Sequence, residues 1–410
     1  MQTISSPQNV LATCPACGLL CDDVAVSWQS ADAKPAVTLK SGKPCAKAIA
    51  FFSSPLKTSS PMIAGKPVSL ADALGRVAEL IAAAQSPLIA GLSTDLAGFR
   101  AAYPFAQKIK AEMMHMNVQS SLRNTKVLQS TGWQTTTLTE VKNRADMILL
   151  IGTDVVGHNP RFFERAVWVD DAMFTDPSAR KIVYLGGDDL DIAPGVSPAG
   201  VQPTVMTCAT KDLPEVTAAL RALLQGKTLK VDAVAGVAVS ALDQLVEQLK
   251  QAKYAVLVWV AKDLDFPHAE LTIQNITESV VILNQHSRAM GLALGGSDGD
   301  TTVNYAHTWL DGLTLGEHTL DAHDLVIWVN SFSPDKPGPI VNKPVIVFGH
   351  PDTVFNTPPD VFIPVATPGL DAVGTLFRVD SSVVLPLKKV RESTLPTLSE
   401  VVQQLEAQLA

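Results

Sequence analysis

Residues 140–152 read E-V-K-N-R-A-D-M-I-L-L-I-G, and this stretch decides the fold. Five apolar residues follow Asp146 without interruption and stop at Gly152. A run of that kind belongs to a strand buried on both faces, as in a parallel sheet with helices on either side. Working outward, similar strands recur at 87–92 (P-L-I-A-G-L), 181–186, 254–260, 280–283, 324–330 (D-L-V-I-W-V-N), 345–349 and 361–366, with a short one at 113–117. Helices fill the intervals. Ser69 has the place of an N-cap with Asp72 three residues on, and Leu70, Leu74, Val77, Leu80 and Ile81 form one apolar face. A second helix is expected around 95–110, and the segment 391–410 ends in an amphipathic one. The fold class is therefore α/β.

In open sheets of this class ligands sit beyond the carboxyl ends of the strands. The loops to inspect are 152–161 (G-T-D-V-V-G-H-N-P-R), 186–189 (G-G-D-D), 291–302 and 349–353 (G-H-P-D-T). None is a phosphate loop or a G-x-G-x-x-G turn, and the chain has no H-E-x-x-H, no G-x-S-x-G and no nucleophile–base pair. His158 and His350 read first as loop histidines, and Asp188 and Asp189 as a solvated turn.

The strongest chemical signal lies near the N-terminus. Four of the five cysteines, Cys14, Cys17, Cys21 and Cys45, fall in the first tenth or so of the 410 residues. Three come from C-P-A-C-G-L-L-C-D-D at 14–23, and the fourth from G-K-P-C-A-K after 23 intervening residues. Four thiolates arranged in this way suit a [4Fe-4S] cluster. Tetrahedral zinc, which prefers two C-x2-4-C pairs, is an alternative, and an emptied relic is another. Such a centre would staple a module of about 60 residues that is small to fold alone. Cys208, in T-V-M-T-C-A-T, reads as a small buried hydrophobe in a strand.

Residues 1–10 carry neither a basic nor an apolar leader segment, so the expected location is the cytoplasm, where thiols stay reduced. No apolar run approaches the roughly 20 residues that cross a bilayer. Net charge is −8 with no Lys/Arg-rich stretch, which argues against nucleic acid as a partner. Apolar residues make up 47 % of the chain and charged residues only 18 %, a balance that suits large cores or surface covered by partner chains. The length suggests two or three domains. The expected division is a four-cysteine module at 1–60, a discontinuous α/β domain at 61–122 with 320–410, and a Rossmann-like α/β domain at 123–319.

A cysteine module followed by two parallel-sheet α/β domains resembles the molybdopterin and tungstopterin oxidoreductases, and within them the B subunit of formylmethanofuran dehydrogenase. Five stretches carry the resemblance: 14–23, 140–152, His158–Arg161 (H-N-P-R), 363–380 (I-P-V-A-T-P-G-L-D-A-V-G-T-L-F-R-V-D) and L-K-K-V at 387–390. The resemblance implies a pterin pocket lined by Lys47, Gly152, His158 and Arg161. It also implies that the pocket is vestigial. Where the family has a metal-binding Cys or selenocysteine followed by His, this chain has Ser120 and Ser121, and serine is a poor donor for tungsten or molybdenum. The family's V-D-P-R is L-G-G-D-D at 185–189, and its acid in A-E-G-T is Val373. That combination resembles the B subunit of the formyltransferase/hydrolase complex of methylotrophic bacteria. The implied role is a structural subunit with no catalytic residue and no metallopterin, beside amidohydrolase-type (A), C and formyltransferase-type (D) subunits, in tetrahydromethanopterin-linked one-carbon metabolism. The alternative is a redox-active dehydrogenase subunit with bound pterin and cluster.

Overall fold

A computed structural model describes residues 9–27, 35–39, 42–55 and 59–409; the first eight residues, part of the leader reading, lie outside them. The chain forms two compact units. The first comprises 1–118, 296–378 and 383–410, and the second 119–295 with 379–382.

The first unit is built on a seven-stranded sheet in the order Lys66–Pro67, Met62–Ile63, Val361–Pro364, Val345–Gly349, Leu325–Asn330, Pro87–Ser93 and Glu112–Met113. The last five are parallel. Every residue of Pro87–Ser93 and of Val345–Gly349 is buried, as their unbroken apolar runs require. Helices Leu70–Ala83, Leu96–Ile109 and Leu398–Gln408 pack against the sheet through Leu74, Val77, Phe99, Phe105, Val401 and Leu405. The Ser69 hydroxyl accepts from the Asp72 N–H, as the sequence predicts. A three-stranded antiparallel meander (Asn9–Ala12, Val24–Ser27, Ala36–Leu39) and the short helix Ala46–Phe52 carry the cysteine segment.

The second unit has a wholly parallel sheet in the order Thr204–Met206, Lys181–Leu185, Met147–Ile151, Tyr254–Val260, Arg288–Leu294. Helices Leu213–Leu224, Val239–Gln251 and Ala269–Leu283 bury their apolar faces in its core. Both sheets reverse strand order once: beside Pro87–Ser93 and Leu325–Asn330 in the first, beside Met147–Ile151 and Tyr254–Val260 in the second. Those reversals are where α/β sheets open to ligands.

Two sequence readings are corrected. The run 280–283 is the last turn of helix Ala269–Leu283, because Ile273, Ile276, Val280 and Leu283 are buried at helical spacing; the neighbouring strand is Arg288–Leu294. Residues 300–302, read as the end of a loop at 291–302, open a helix, Asp300–Asp311, whose Val303 and Ala306 lie in the core of the first unit. Residues 296–319 thus pack there and not with the segment 123–295.

Candidate functional site

The loop between the first two strands of the meander holds Cys14, Cys17 and Cys21, all buried. The Cys14 N–H donates to the Cys21 carbonyl (2.8 Å) and the Leu20 N–H to the Cys17 carbonyl (3.2 Å), so the loop folds back on itself. Leu20 takes a left-handed conformation (φ 46°) and inserts among Phe332, Leu376 and Leu387. The Gly18 N–H donates to the Gly296 carbonyl (2.9 Å). The loop is thereby fastened to the body of the first unit. Cys45 is half-buried and immediately precedes helix Ala46–Phe52, which also carries Lys47.

Burial pushes the Cys14 thiol well above its ordinary pKa, and the proximity of Cys17, Cys21 and Cys45 raises it further. The four sulfurs therefore share one electrostatic neighbourhood. Among the described residues no three His, Cys, Asp or Glu side chains are gathered at metal-ligating distance, so the convergence is not a closed ligand cage. Its donor chemistry, four soft sulfurs three of which are buried, fits a thiolate-bound centre. Cys208 belongs to the second unit, where it packs against Gly186, half-buried, just past the end of strand Thr204–Met206; burial pushes its thiol up to about 11.

At the reversal of the second sheet, His158 Nε2 lies 2.6 Å from Asp263 Oδ1, and the Thr153 hydroxyl donates to Asp263 Oδ2 (2.6 Å). The Asn159 side chain exchanges two hydrogen bonds with the backbone of Gly295. The buried Arg161 is held by Glu164 through two hydrogen bonds, of 3.0 and 2.5 Å. Gly152 (φ 66°) is needed at its turn, since a Cβ there would lie 2.5 Å from Leu213 Cδ1; one at Gly186 would meet the same side chain at 2.6 Å. Ser120 and Ser121 are half-buried in the first turn of helix Val118–Ser130, whose Arg123 binds the Ala261 carbonyl and the Asp265 carboxylate. Of the four residues read as a pterin pocket, Gly152, His158 and Arg161 thus belong to the second unit and Lys47 to the first. At this edge Leu213 packs beside Gly152 and Gly186, and Glu164 pairs with the Arg161 guanidinium. The sequence reading missed Asp263 and Leu213. The first was findable, because it stands at the carboxyl end of Tyr254–Val260.

At the reversal of the first sheet, the buried hydroxyls of Ser93, Thr94 and Ser331 have no hydrogen-bond partner among the described residues. Asp95 caps helix Leu96–Ile109, accepting from the N–H groups of Ala97, Gly98 and Thr375. Asp300 accepts from the N–H groups of Ser297 and Thr301 and from Asn117 Nδ2. Burial raises its carboxyl to about 6. Burial also lowers the nearby His115 to about 4; its Nε2 lies 3.0 Å from the Asn304 amide. The two act oppositely on stability. Asp300 holds its proton longer in the folded state, so its contribution is full below about pH 4 and is lost as pH rises to about 6. His115 stays neutral in the folded state, so its contribution is full above about pH 6.5 and is lost as pH falls towards 4. The Asp300→Asn variant is expected to gain thermal stability relative to the parent as pH rises from 4 to 6, with a constant difference above about pH 6.5. A difference in melting temperature that is flat across that window would refute the assignment.

No family model matches the chain. Relatives cover almost all of it. The B subunit of the tungsten-containing formylmethanofuran dehydrogenase 2 of Methanococcus maripaludis is 23 % identical over 433 residues, which span 94 % of this chain and 95 % of that one. The protein of the same description from Methanocaldococcus jannaschii is 25 % identical over 414 residues, 92 % of each. The chain is a relative of the formylmethanofuran dehydrogenase B subunit over nearly its whole length. A segment of 80 residues, 20 % of the chain and 22 % of the relative, is 35 % identical to the Fhc B subunit of the formyltransferase/hydrolase complex of Methylorubrum extorquens. The fold matches a chain in the crystal structure of that organism's formyltransferase/hydrolase complex (FhcABCD) with methylofuran. The TM-score is 0.72 at 20 % identity, covering 85 % of this chain and 98 % of that one.

Proposed function

We propose that this chain is a structural B-type subunit of a formyltransferase/hydrolase complex, acting between formaldehyde and formate in tetrahydromethanopterin-linked one-carbon metabolism. The observation that carries this reading is near full-length similarity to the dehydrogenase subunit combined with Ser120–Ser121 where that family needs a soft metal ligand and imidazole. The 35 % identical segment and the fold of the complex's chain favour the formyltransferase/hydrolase branch. Its partners in this reading are amidohydrolase-type (A), C and formyltransferase-type (D) subunits, which supply the chemistry. Among the described residues no helix is long and apolar enough to cross a membrane, and the proposed location is the cytoplasm.

Cys14, Cys17, Cys21 and Cys45 would hold a [4Fe-4S] cluster, whose contribution here is a covalent cross-link of the N-terminal segment. The chain's own residues do the rest: Leu20 and Gly18 seat the loop in the first unit, and His158, Asp263 and Thr153 close the second unit's ligand edge. A bound tungsto- or molybdopterin is not part of this proposal.

Metal analysis of the purified complex tests it. Iron without tungsten or molybdenum is expected; stoichiometric tungsten or molybdenum would establish the redox alternative. Variants separate the two sites further. Ser120→Ala should leave formyl transfer and hydrolysis within about twofold of the parent, because a hydroxyl un-ionised near pH 7 holds no soft metal. Cys14→Ala should cut the yield of assembled complex severalfold while the complex that forms keeps its specific activity. Loss of turnover in Ser120→Ala with normal assembly would mean a working site on this chain.

A further inference from the structure

We propose that the aromatic face of helix Asp300–Asp311, with the hairpin beside it, is the seat of a partner subunit whose contacting surface is apolar at its centre and ringed by Lys and Arg. The inference rests on the reading above that the chain works inside a complex, and it assigns the surface. The helix buries Thr302, Val303, Ala306 and His307 and turns Tyr305 and Trp309 outward, one turn apart. Trp309 is 66 % exposed and Tyr305 37 %. Both rings rest on Phe377, Trp309 edge-on at 4.9 Å and Tyr305 tilted at 5.8 Å between centroids. Phe377 is buried in strand Gly374–Phe377, and its cross-strand neighbour Val384 is exposed. Leu313, 65 % exposed, extends the apolar surface past the helix end. Tryptophan and tyrosine dominate interface energetics because they offer large rigid area at little entropic cost. Here the rings are already held in place by Phe377, so little freedom remains to be lost on docking.

Charge selects the occupant. Residues 289–335 contain seven Asp and Glu and no Lys or Arg. Asp311, Glu317 and Asp321 of this stretch are exposed. A basic rim on the partner would be steered towards this acidic stretch. A second copy of this chain would not, since a two-fold contact sets the same acids against themselves.

The test co-expresses the A, C and D subunits with two differently tagged copies of this chain, one unaltered and one variant, and reads their ratio in the purified complex against their ratio in the soluble extract. The Tyr305→Ala/Trp309→Ala variant is expected to be depleted at least tenfold. Because Trp309 braces Phe377, Leu313→Asp serves as a second variant, at a position that is 65 % exposed; at least fivefold depletion is expected there, with an unchanged soluble level. Replacing Asp311, Glu317 and Asp321 by Asn and Gln should weaken the dependence of assembly on salt. Equal incorporation of both apolar variants overturns this proposal while leaving the functional reading intact. Self-association that the variants abolish, with attachment to the A, C and D subunits unchanged, overturns it in favour of a homomeric contact. Failure of the unaltered chain to join those subunits overturns the functional reading and this one with it.

Discussion

Asp371→Ala is expected to destabilise the first unit by about 3–5 kcal/mol, the cost of stripping a partner from a buried cation. The Asp371 side chain is fully buried, and the Arg391 side chain nearly so. The carboxylate accepts from Arg391 Nε (2.6 Å) through one oxygen and from the Thr367 N–H (3.2 Å) through the other. Arg391 Nη1 also donates to the Ser54 carbonyl, so this pair ties the segment behind helix Ala46–Phe52 to the 367–371 turn. In thermal unfolding the drop should be roughly 10 °C. The Asp371→Ala/Arg391→Leu double variant should recover part of the loss, because it removes the unpaired charge as well. A double variant less stable than the single would show that the pair matters for its packing and not for its charge. The exposed Arg76–Glu79 pair on helix Leu70–Ala83 has the same chemistry, and breaking it should cost under about 1 kcal/mol.

Gly299→Ala should be nearly as damaging, at roughly 3 kcal/mol. Gly299 caps helix Asp300–Asp311 at φ 77°, and an added Cβ would lie 2.2 Å from the Thr94 carbonyl oxygen. That oxygen is backbone, between the end of strand Pro87–Ser93 and the Asp95 cap, so no side-chain rotation relieves the overlap. The same helix supplies the control. Gly312, at its other end, has φ 78° and nothing within 4 Å of its Cβ position. Gly312→Ala should cost only about 1 kcal/mol, the left-handed penalty alone. Equal losses for the two variants in denaturant titrations would rule out the steric account.

The sheets were legible in the sequence because strands buried on both faces are apolar throughout, and Tyr254–Val260 and Val345–Gly349 have the boundaries read from it. The error at 280–283 has the same origin. Four apolar residues at the end of a helix look like a short buried strand when the preceding turns are polar on one side. Helix Asp300–Asp311 was hidden by its G-G-S-D-G-D approach, which has the composition of a loop. The cysteine set was legible because four donors crowd into so short a segment. Leu213 and Asp300 were not, since each acquires its role from a residue far away in sequence: Gly186 meets Leu213, and Asn117 meets Asp300.

The order in which the strands are made sets a constraint on synthesis. Pro87–Ser93 pairs with Leu325–Asn330, and the whole second unit is translated between them, save the short 379–382 piece. On the ribosome, that unit can close on itself as one nearly continuous piece, while the first holds a fully buried strand with one long edge unmatched. Only when Leu325–Asn330, Val345–Gly349 and Val361–Pro364 have emerged does the first sheet become complete, and helix Leu398–Gln408 covers it last of all. Strand Pro87–Ser93 thus stays unmatched while residues 119–295 are made, and the second unit is complete for only the last stretch of that wait. Shielding P-L-I-A-G-L-S during that interval is expected to raise the yield of folded chain.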